Sequence, residues 1–482
     1  MSLTSSFSNA LSGLTASSRA AQVVSSNIAN SLTEGYATRE ISLSSQSLGG
    51  NGAGVLVEGV YRNVDPSLLA DRRVSQAELG NASVISEFLT ELEKSIGIPE
   101  DAGSLNSELN AFETSLIEAA SRPDSTPRLN AVVQAANGVT AKFNKISNDI
   151  QSLRLTADNE IASQVNFLND SLQKIEALNT QVLAQTAAGR DATALMDQRQ
   201  AMVDQIAEIV PLKQVEKDKN TIALISTGGA VLLDGRAGEF RFTSVSTIVP
   251  EMTLETGALS GISLNGYAIN TSAERNALNG GSLAALFEVR DEIATQAQGD
   301  LDAMARNLIE RFADPVVDGT STGGLFTDAG TNLDPLNEAA LSSRISVAPI
   351  ADPTQGGAAW RVRDGLGAVT TGELGNAARI QSMIDQLQQP ISPSSGSFSS
   401  EARSLNDLSA DFLSSVGIAR QSRENDVAFA TTKTVALQAQ EKANGVDSDQ
   451  EMQKLLVVER SYSANAKVIQ TIDQMLDLLM GL

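Results

Sequence analysis

The segment "LNAVVQAANGVTAKFNKISNDIQSLRLTADNEIASQVNFLNDSLQKIEALNTQV", residues 129–182, carries the longest helical signal in this chain of 482 residues. Its apolar side chains recur every three or four positions, which is the period of an amphipathic helix. No proline falls between Pro127 and Pro211. At about 1.5 Å per residue, a helix of roughly 60 residues would be roughly 90 Å long. The segment therefore predicts one long rod, or two long helices that break near residues 157–159.

Outward from this segment, helical periodicity continues on both sides and a smaller β part interrupts it. Further helices are predicted at residues 68–96, before Pro123, and at 192–209, 283–312, 377–386 and 404–443. After Pro211 the pattern changes to short strands, "TIALIS" at 221–226 and "AVLLDG" at 230–235. Asn265–Gly266 between alternating apolar residues predicts a type I′ hairpin, and Trp360–Val362 predicts a strand. The expected fold is mainly α with a smaller β part, of the α+β class.

Composition excludes several classes of function. The 41% hydrophobic content is enough for a sizeable core, whereas a formal net charge of −23 opposes binding to nucleic acid or to anionic membranes. The chain has no cysteine and no histidine, so thiolate chemistry and the usual general base are both missing. The first residues lack a basic region followed by an apolar block, so we expect no cleavable signal peptide and export, if any, by another route.

Two apolar stripes near opposite ends of the sequence repeat with alternating spacings of three and four, as in a coiled coil. The N-terminal seam consists of Leu3, Phe7, Ala10, Leu14, Ser17, Ala21, Val24 and Ile28. The C-terminal seam consists of Leu455, Val458, Tyr462, Asn465, Ile469, Ile472, Leu476 and Leu479. Each seam alone could pack on its own domain. Two seams can instead pair with each other, leaving an uncharged Ser, Ala, Asn and Gln surface that suits burial against neighbouring subunits.

Motifs that would carry chemistry are incomplete. Residues 319–323 match the G-x-S-x-G nucleophile elbow, but the motif needs a histidine base and a strand-turn-helix frame. Asp447, Asp449 and Glu451 alternate like calcium ligands without the glycine and distant glutamate of an EF-hand, and we interpret them as charges at a helix N-terminus. Asp197 and Arg199 are two apart on a predicted helix, so they face different directions and predict a structural ion pair with another element.

The two ends of the chain resemble the axial proteins of the bacterial flagellum, which include rod, hook and hook-associated proteins. The start, "ALSGLTASSRAAQVVSSNIANSLTEGY" at residues 10–36, is similar to their N-terminal motif, with Asn27–Ile28–Ala29–Asn30, Gly35 and Tyr36 at matching positions. The end, "ANGVDSDQEMQKLLVVERSYSANAKVIQTIDQMLDLLMGL" at residues 443–482, is similar to their C-terminal motif. These ends identify the superfamily only.

Interior motifs narrow the resemblance to the hook-associated proteins of the hook–filament junction. They are Ser121–Arg122–Pro123, "LMDQR" at 195–199, "GGSL" at 280–283 and "GLF" at 324–326, in the order typical of that family. The chain departs from larger members after Phe326, where only a short Gly/Pro-rich stretch precedes Trp360. The resemblance therefore implies an outer β-domain that is reduced or absent.

The resemblance implies a structural role in filament assembly and motility, without cofactor, metal or enzymatic activity. It implies an inner coiled-coil domain made of residues 1–50 and 437–482, and a central domain with helices at 51–210, a β-rich part at 211–280 and helices and loops at 281–436. Implied partners are copies of the chain in a homo-oligomeric ring, the hook protein, a second junction protein (hook-associated protein 3) and an export chaperone. The implied location is the extracellular flagellum, reached through the flagellar type III apparatus.

The assembly interface implied by the resemblance combines the seams with the exit of the first helix. Its residues are Leu3, Phe7, Ala10, Leu14, Ala21, Val24, Asn27, Ile28, Asn30, Gly35, Tyr36, Leu455, Val458, Tyr462, Ile469, Ile472, Leu476 and Leu479. Three alternatives stay open: another axial protein of hook or rod type, a cytoplasmic helical signalling scaffold, and an esterase at Ser321. The long interior helices oppose a hook protein, and the strands between 221 and 269 oppose one continuous helical hairpin.

Overall fold

The computed structural model describes residues 3–33, 35–48, 51–272, 277–320, 323–398 and 400–480. The helices are α1 (Leu3–Ala29), α2 (Pro66–Ile96), α3 (Leu105–Ser121), α4 (Thr126–Ala187), α5 (Thr193–Ile209), α6 (Ser282–Glu288), α7 (Ala294–Ala313), α8 (Leu341–Arg344), α9 (Trp360–Asp364), α10 (Ala378–Gln388), α11 (Leu405–Ala443) and α12 (Ser448–Met480). The strands are β1 (Thr38–Leu48), β2 (Asn51–Asn63), β3 (Leu212–Glu216), β4 (Ile222–Ser226), β5 (Val231–Asp234), β6 (Arg236–Ala237), β7 (Phe240–Arg241), β8 (Ile262–Leu264), β9 (Tyr267–Ile269), β10 (Phe326–Asp328) and β11 (Ile345–Val347). Helices dominate and the sheets are small, which confirms the predicted α+β class.

The central segment forms one helix. α4 runs for 62 residues without a break, so the alternative of two helices broken near 157–159 is wrong. Its apolar stripe is mostly buried, with Val132, Phe143, Ile150 and Leu168 fully covered. Asp158 does not interrupt the helix because its carboxylate is bonded to Arg290 and to the main-chain amide of Val245. No helix in the described part of the chain is long and apolar enough to span a membrane.

The chain divides into two compact units. Unit 1 comprises Met1–Leu79, Phe167–Glu239 and Phe429–Leu482, and unit 2 comprises Gly80–Asn166 and Phe240–Ala428. Unit 2 carries 35 acidic and 18 basic residues, a net charge of −17, whereas unit 1 carries 23 acidic and 17 basic residues, a net charge of −6. Most of the negative charge of the protein therefore belongs to unit 2.

Unit 1 contains a long two-stranded ribbon that the sequence did not predict. β1 and β2 pair antiparallel from Thr38↔Asn63 to Leu48↔Asn51, with two register shifts. The assignment of residues 51–210 to helix is therefore wrong for 51–63. "GAGVLVEGVYR" at 52–62 is rich in β-branched residues and glycine, which favour extended backbone over helix. The ribbon packs against α1, and a four-stranded antiparallel sheet in the order β3-β4-β5-β6 completes the β part of the unit.

Unit 2 is built around α3, α7 and a short hairpin. Phe112, Phe312 and Phe326 meet with ring centroids 5.0 to 5.7 Å apart in the core. β10 and β11 pair antiparallel, and only this hairpin, α8 and a single turn of 3₁₀ helix separate Phe326 from α9. No larger β-domain is present among the described residues there, which agrees with the prediction of a reduced or absent outer β-domain.

Two local predictions in unit 2 have opposite outcomes. Asn265 and Gly266 have φ values of 54° and 83° and join β8 to β9, as a type I′ turn requires. The strand predicted at Trp360–Val362 is wrong, because these residues begin helix α9. Gly365, at φ 111°, ends that helix, and the Arg361 guanidinium holds the exit by donating to the carbonyls of Leu366 and Ala368 at 2.7 Å.

Candidate assembly interface

The helices formed by the two seams pack against each other. The Asn27 side-chain amide on α1 donates to the Glu451 carboxylate on α12 at 3.0 Å. Fourteen residues earlier on α1, a Cβ placed on Gly13 would lie 2.8 Å from Nδ2 of Asn465, which is fourteen residues later on α12. From the first contact to the second, the residue number decreases along α1 and increases along α12. The two helices therefore run antiparallel. The predicted pairing of the terminal helices is confirmed.

The predicted interface residues differ widely in burial. Ala10, Val24, Asn27 and Ile472 are buried. Half-buried positions are Leu3, Leu14, Ala21, Ile28, Asn30, Gly35, Tyr36, Leu455, Val458 and Ile469. Exposed positions are Phe7, Tyr462, Leu476 and Leu479. The α1–α12 pair therefore covers only part of both seams within one chain.

Further apolar side chains of α12 face outward in addition to the predicted seam. They are Met452, Leu456, Val457, Val468, Met475, Leu478 and Met480. Leu478 is 71% exposed and Leu479 is 61% exposed. The outward surface of α1 differs, because small or uncharged residues such as Ser18, Gln22, Ser25 and Ala29 alternate there with Arg19 and with the apolar Phe7 and Leu11. An apolar helix surface of this extent is typical of a site of protein–protein contact.

The exit from α1 is held by the Asn27 amide. Its Nδ2 donates to the Arg39 carbonyl at 2.9 Å and its Oδ1 accepts the Arg39 main-chain N–H at 3.0 Å. The side-chain amide thus bonds to both main-chain groups of Arg39, as the backbone of a paired β-strand would. The Tyr36 hydroxyl donates to the same Oδ1 at 2.8 Å. Glu451 is 1% exposed and also accepts from Lys454 at 2.7 Å. These bonds connect α1, the ribbon and α12 at one point.

The turn after α1 has the local chemistry expected of a helix end. Asn30 Nδ2 donates to the Ser26 carbonyl at 2.8 Å, and Gly35 adopts a φ of 77° that favours glycine. The Arg39 guanidinium lies 4.8 Å from the centroid of the Tyr36 ring. Asn30 and Gly35 therefore shape the exit, whereas Tyr36 bonds directly to Asn27.

Helix α5 fastens the ribbon from another side. Asp197 pairs with Arg39 at 3.0 Å and with Arg62 at 2.7 Å, and Gln200 accepts from Arg62. Burial lowers the pKa of Arg62, although the charge of Asp197 opposes that shift. Arg199 points elsewhere and donates to Asn179 and to the Asn220 carbonyl. Burial lowers the pKa of Arg199 to about 10. The predicted ion pair with another element is therefore confirmed for Asp197, whereas Arg199 donates to neutral oxygens instead.

The motifs with possible chemistry do not form a site in the described residues. Asp447 accepts from the main-chain amides of Asp449 and Gln450, as a helix cap does. Glu451 is not a solvated first-turn charge, since it is buried against Asn27. No group of three potential metal ligands occurs in the described ranges. Ser321, the candidate nucleophile, lies outside the described residues.

The contacts that hold α1 to the ribbon were not among the sequence predictions. Ser12 Oγ accepts the Val55 main-chain N–H at 3.1 Å. Gly54 has a φ of 98°, and a Cβ on it would lie 2.0 Å from Ser12 Oγ. Glu451 and Asn465 carried a usable signal, because a polar residue on a coiled-coil seam often specifies alignment.

Family models match three parts of the chain. The model described as "Flagellar hook-associated protein FlgK helical domain" matches residues 89–333. The "Flagellar basal body rod FlgEFG protein C-terminal" model matches residues 438–482, and the "Flagella basal body rod protein" model matches residues 7–36. The two rod-protein models thus coincide with α12 and α1.

Curated relatives share the name flagellar hook-associated protein 1. The protein of Bacillus subtilis is 23% identical over 506 residues, covering 97% of this chain and 96% of that protein. The proteins of Escherichia coli and Salmonella typhimurium are 25% and 26% identical, over 64% of this chain and 56% of each relative. The chain thus spans nearly all of the Bacillus protein and about half of the other two.

A solved structure is also similar. It is described as the flagellar hook junction protein FlgK from Burkholderia pseudomallei, with 17% identity and a TM-score of 0.46. The similarity covers 54% of this chain and 47% of that one. It supports no conclusion by itself.

Proposed function

Because the chain belongs to the family of the flagellar hook-associated protein FlgK, whose helical-domain model matches just over half of it, we propose that it is a structural protein of the bacterial flagellum. It forms the junction between hook and filament and is needed for filament assembly and motility. Its proposed role is to bind other subunits and assemble with them, without catalysis and without a cofactor.

The observation that carries the proposal is the antiparallel α1–α12 pair with its uncovered apolar surface. The pair buries Ala10, Val24 and Ile472 but leaves Leu476 and Leu479 open. Copies of the chain in a ring must each offer two different faces to their neighbours. The mainly polar outward surface of α1 and the apolar surface of α12 are two such faces within unit 1.

The charge distribution supports the same arrangement. Unit 1, which contains the helix pair, has a net charge of −6, whereas unit 2 has −17. Like charges brought together in an assembly repel one another. The helix-pair unit is therefore the part better suited to dense packing, and the acidic unit keeps the unassembled chain soluble.

The domain boundaries remain part of the proposal. Residues 1–50 and 437–482 make the inner coiled-coil domain, and 51–210, 211–280 and 281–436 make the central one. The proposed boundary at residue 50 falls between β1 and β2, which pair with each other.

The partners follow from the proposed place in the flagellum. They are copies of the chain in a homo-oligomeric ring, the hook protein on one side and hook-associated protein 3 on the other. An export chaperone covers the apolar surface of α12 before assembly, because an exposed apolar helix invites aggregation. The chain reaches the extracellular flagellum through type III export without a cleaved signal peptide.

The interface residues have two roles in this proposal. Buried positions such as Ala10, Val24 and Ile472 hold the pair within one chain. Exposed positions such as Phe7, Tyr462 and Leu479 contact neighbouring subunits. Asn27, Asn30, Gly35 and Tyr36 set the direction in which the chain leaves the pair.

The test is a strain whose own copy lacks residues 447–482, examined by electron microscopy. We expect hooks without filaments, and normal filaments when the full-length chain is supplied. Normal filaments on the truncated chain would contradict the junction assignment. Fluorophosphonate labelling of the purified protein tests the esterase alternative, and we expect no adduct at Ser321.

A further inference from the structure

We propose that two polar clamps, two heptads apart on α1, set the register of α1 against both α12 and the ribbon. The first clamp is Ser12 and Gly13 with Val55 of β2 and Asn465 of α12. The second clamp is Asn27 with Arg39 of β1 and Glu451 of α12. The consequence for assembly rests on the proposed function, whereas the register itself is a property of the single chain.

The first clamp fastens α1 on two sides at adjacent residues. Ser12 Oγ accepts the Val55 main-chain N–H from the ribbon. Gly13 presents bare backbone to the Asn465 amide, whose Nδ2, Oδ1 and Cγ would lie 2.8, 2.9 and 3.0 Å from a Cβ there. The amide is held in place because its Nδ2 donates to the Ser461 carbonyl at 3.0 Å. A larger residue at position 13 would require this amide to move.

The second clamp repeats this two-sided arrangement with one side chain. Asn27 bonds to the main chain of Arg39 on the ribbon side and to the Glu451 carboxylate on the α12 side. Asn27 and Glu451 are each 1% exposed. Lys454 lies on the same helix and keeps its bond to Oε1 of Glu451 in any alignment. A shifted alignment would instead leave Oε2 of this buried carboxylate without the Asn27 donor, which is disfavoured.

The apolar seams alone do not define a single alignment. Both repeat every seven residues, so a shift by one heptad would again bring apolar side chains together. Such a shift would place Glu451 opposite Ala20 or opposite the turn after α1, and it would remove Asn465 from Gly13. The polar residues therefore distinguish alignments that the apolar residues would accept about equally. The register in turn decides which apolar residues of α12 stay open to a neighbouring subunit.

The absence of cysteine makes the register measurable with introduced disulfides. Counting along the antiparallel helices from the Asn27–Glu451 and Gly13–Asn465 contacts places Val24 level with Leu455, and Ser17 level with Tyr462, to within one residue. A shift of one heptad moves a residue about 10 Å along the axis, too far for a disulfide between the original partners. The full-length pair Val24→Cys/Leu455→Cys therefore reports the native register. The pairs Val24→Cys/Tyr462→Cys and Ser17→Cys/Leu455→Cys report the two shifts.

The decisive variant carries Glu451→Leu and Asn465→Leu, which make the α12 seam wholly apolar and leave the ribbon contacts of α1 in place. Replacing buried polar groups by apolar ones often keeps a fold stable, so we expect a folded pair by circular dichroism. We expect the native disulfide alone in the parent chain, and a shifted disulfide in addition in the variant. Ile469→Leu/Ile472→Leu, an apolar exchange on the same helix, should keep the native disulfide alone.

Only the native disulfide in the Glu451→Leu/Asn465→Leu chain would overturn the proposal. Loss of the folded helix pair in that chain would overturn it equally, since the polar residues would then support folding instead of selecting register. Both readouts use the purified chain, so they stand whether or not the protein proves to be a junction component.

Discussion

Asn27 and Glu451 are 424 positions apart in the sequence, yet the amide of one donates to the buried carboxylate of the other at 3.0 Å. The bond joins the end of α1 to the first turn of α12. The same Asn27 amide also pairs with the main chain of Arg39. One side chain thus links three elements.

Replacing Asn27 by leucine should destabilise unit 1 by about 3 kcal/mol, because it leaves the Arg39 main chain without its partner and removes one of the donors to the buried Glu451 carboxylate, which keeps its bond to Lys454. Urea unfolding followed by far-UV circular dichroism measures the loss. Asn30→Leu is the matched control, since Asn30 bonds only within its own turn, and its effect should stay within about 1 kcal/mol. Equal losses in the two variants would contradict the role assigned to Asn27.

Gly54→Ala should disrupt the contact between α1 and the ribbon. The new Cβ would meet Ser12 Oγ at 2.0 Å, and the φ of 98° is itself strained for alanine, so we expect a loss of about 2 kcal/mol or more. Amide hydrogen exchange at Val55, whose N–H is bonded to Ser12, should accelerate.

Gly59→Ala is the control for that substitution, because no atom lies within 4 Å of a Cβ at Gly59. Its hydrogen exchange and stability should stay close to those of the parent. If the two variants behaved alike, the close approach of Gly54 to Ser12 would not be what holds α1 to the ribbon.

Asp302 predicts a pH dependence in unit 2. Burial raises its pKa from 3.8 to about 6, although Ser342, Gln298 and the Ala340 amide donate to the carboxylate and oppose the shift. A raised folded-state pKa means that folding favours the protonated form of Asp302. The stabilisation by protonated Asp302 is therefore complete below about pH 4 and is lost as the pH rises through about 6. The difference in unfolding free energy between the parent and Asp302→Asn should therefore shrink, by on the order of 3 kcal/mol, between pH 4 and pH 7.

Fluorescence of Trp360, the single tryptophan and a residue of unit 2, follows that unfolding. A difference between parent and Asp302→Asn that stays constant from pH 4 to pH 7 would show that the ionisation of Asp302 is not linked to folding.

Periodic features could be predicted from the sequence, because local spacing carries them. α4 follows from an uninterrupted apolar stripe without proline, and the β8–β9 hairpin follows from Asn265–Gly266 alone. The seams of α1 and α12 were visible for the same reason. Even their pairing could be inferred, since each seam needed an apolar partner.

Features that depend on distant partners could not be predicted. The two arginines of the ribbon, Arg39 and Arg62, meet Asp197 across 158 and 135 positions, and no local spacing encodes those bonds. The strand expected at Trp360–Val362 failed because Gly365 and the contacts of Arg361 select a short helix there. The burial of Glu451 likewise became clear only once Asn27 was placed beside it.

In the proposed assembly, the open apolar surface of α12 joins one subunit to the next. Electron microscopy of cells that carry only a Leu476→Asp/Leu479→Asp chain tests this contact, with Val215→Asp/Val231→Asp as a control of similar exposure on the small sheet of unit 1. We predict bare hooks with the first chain, filaments with the second, and a folded protein in both cases by circular dichroism. Filaments of normal number and length on the Leu476→Asp/Leu479→Asp chain would contradict the account.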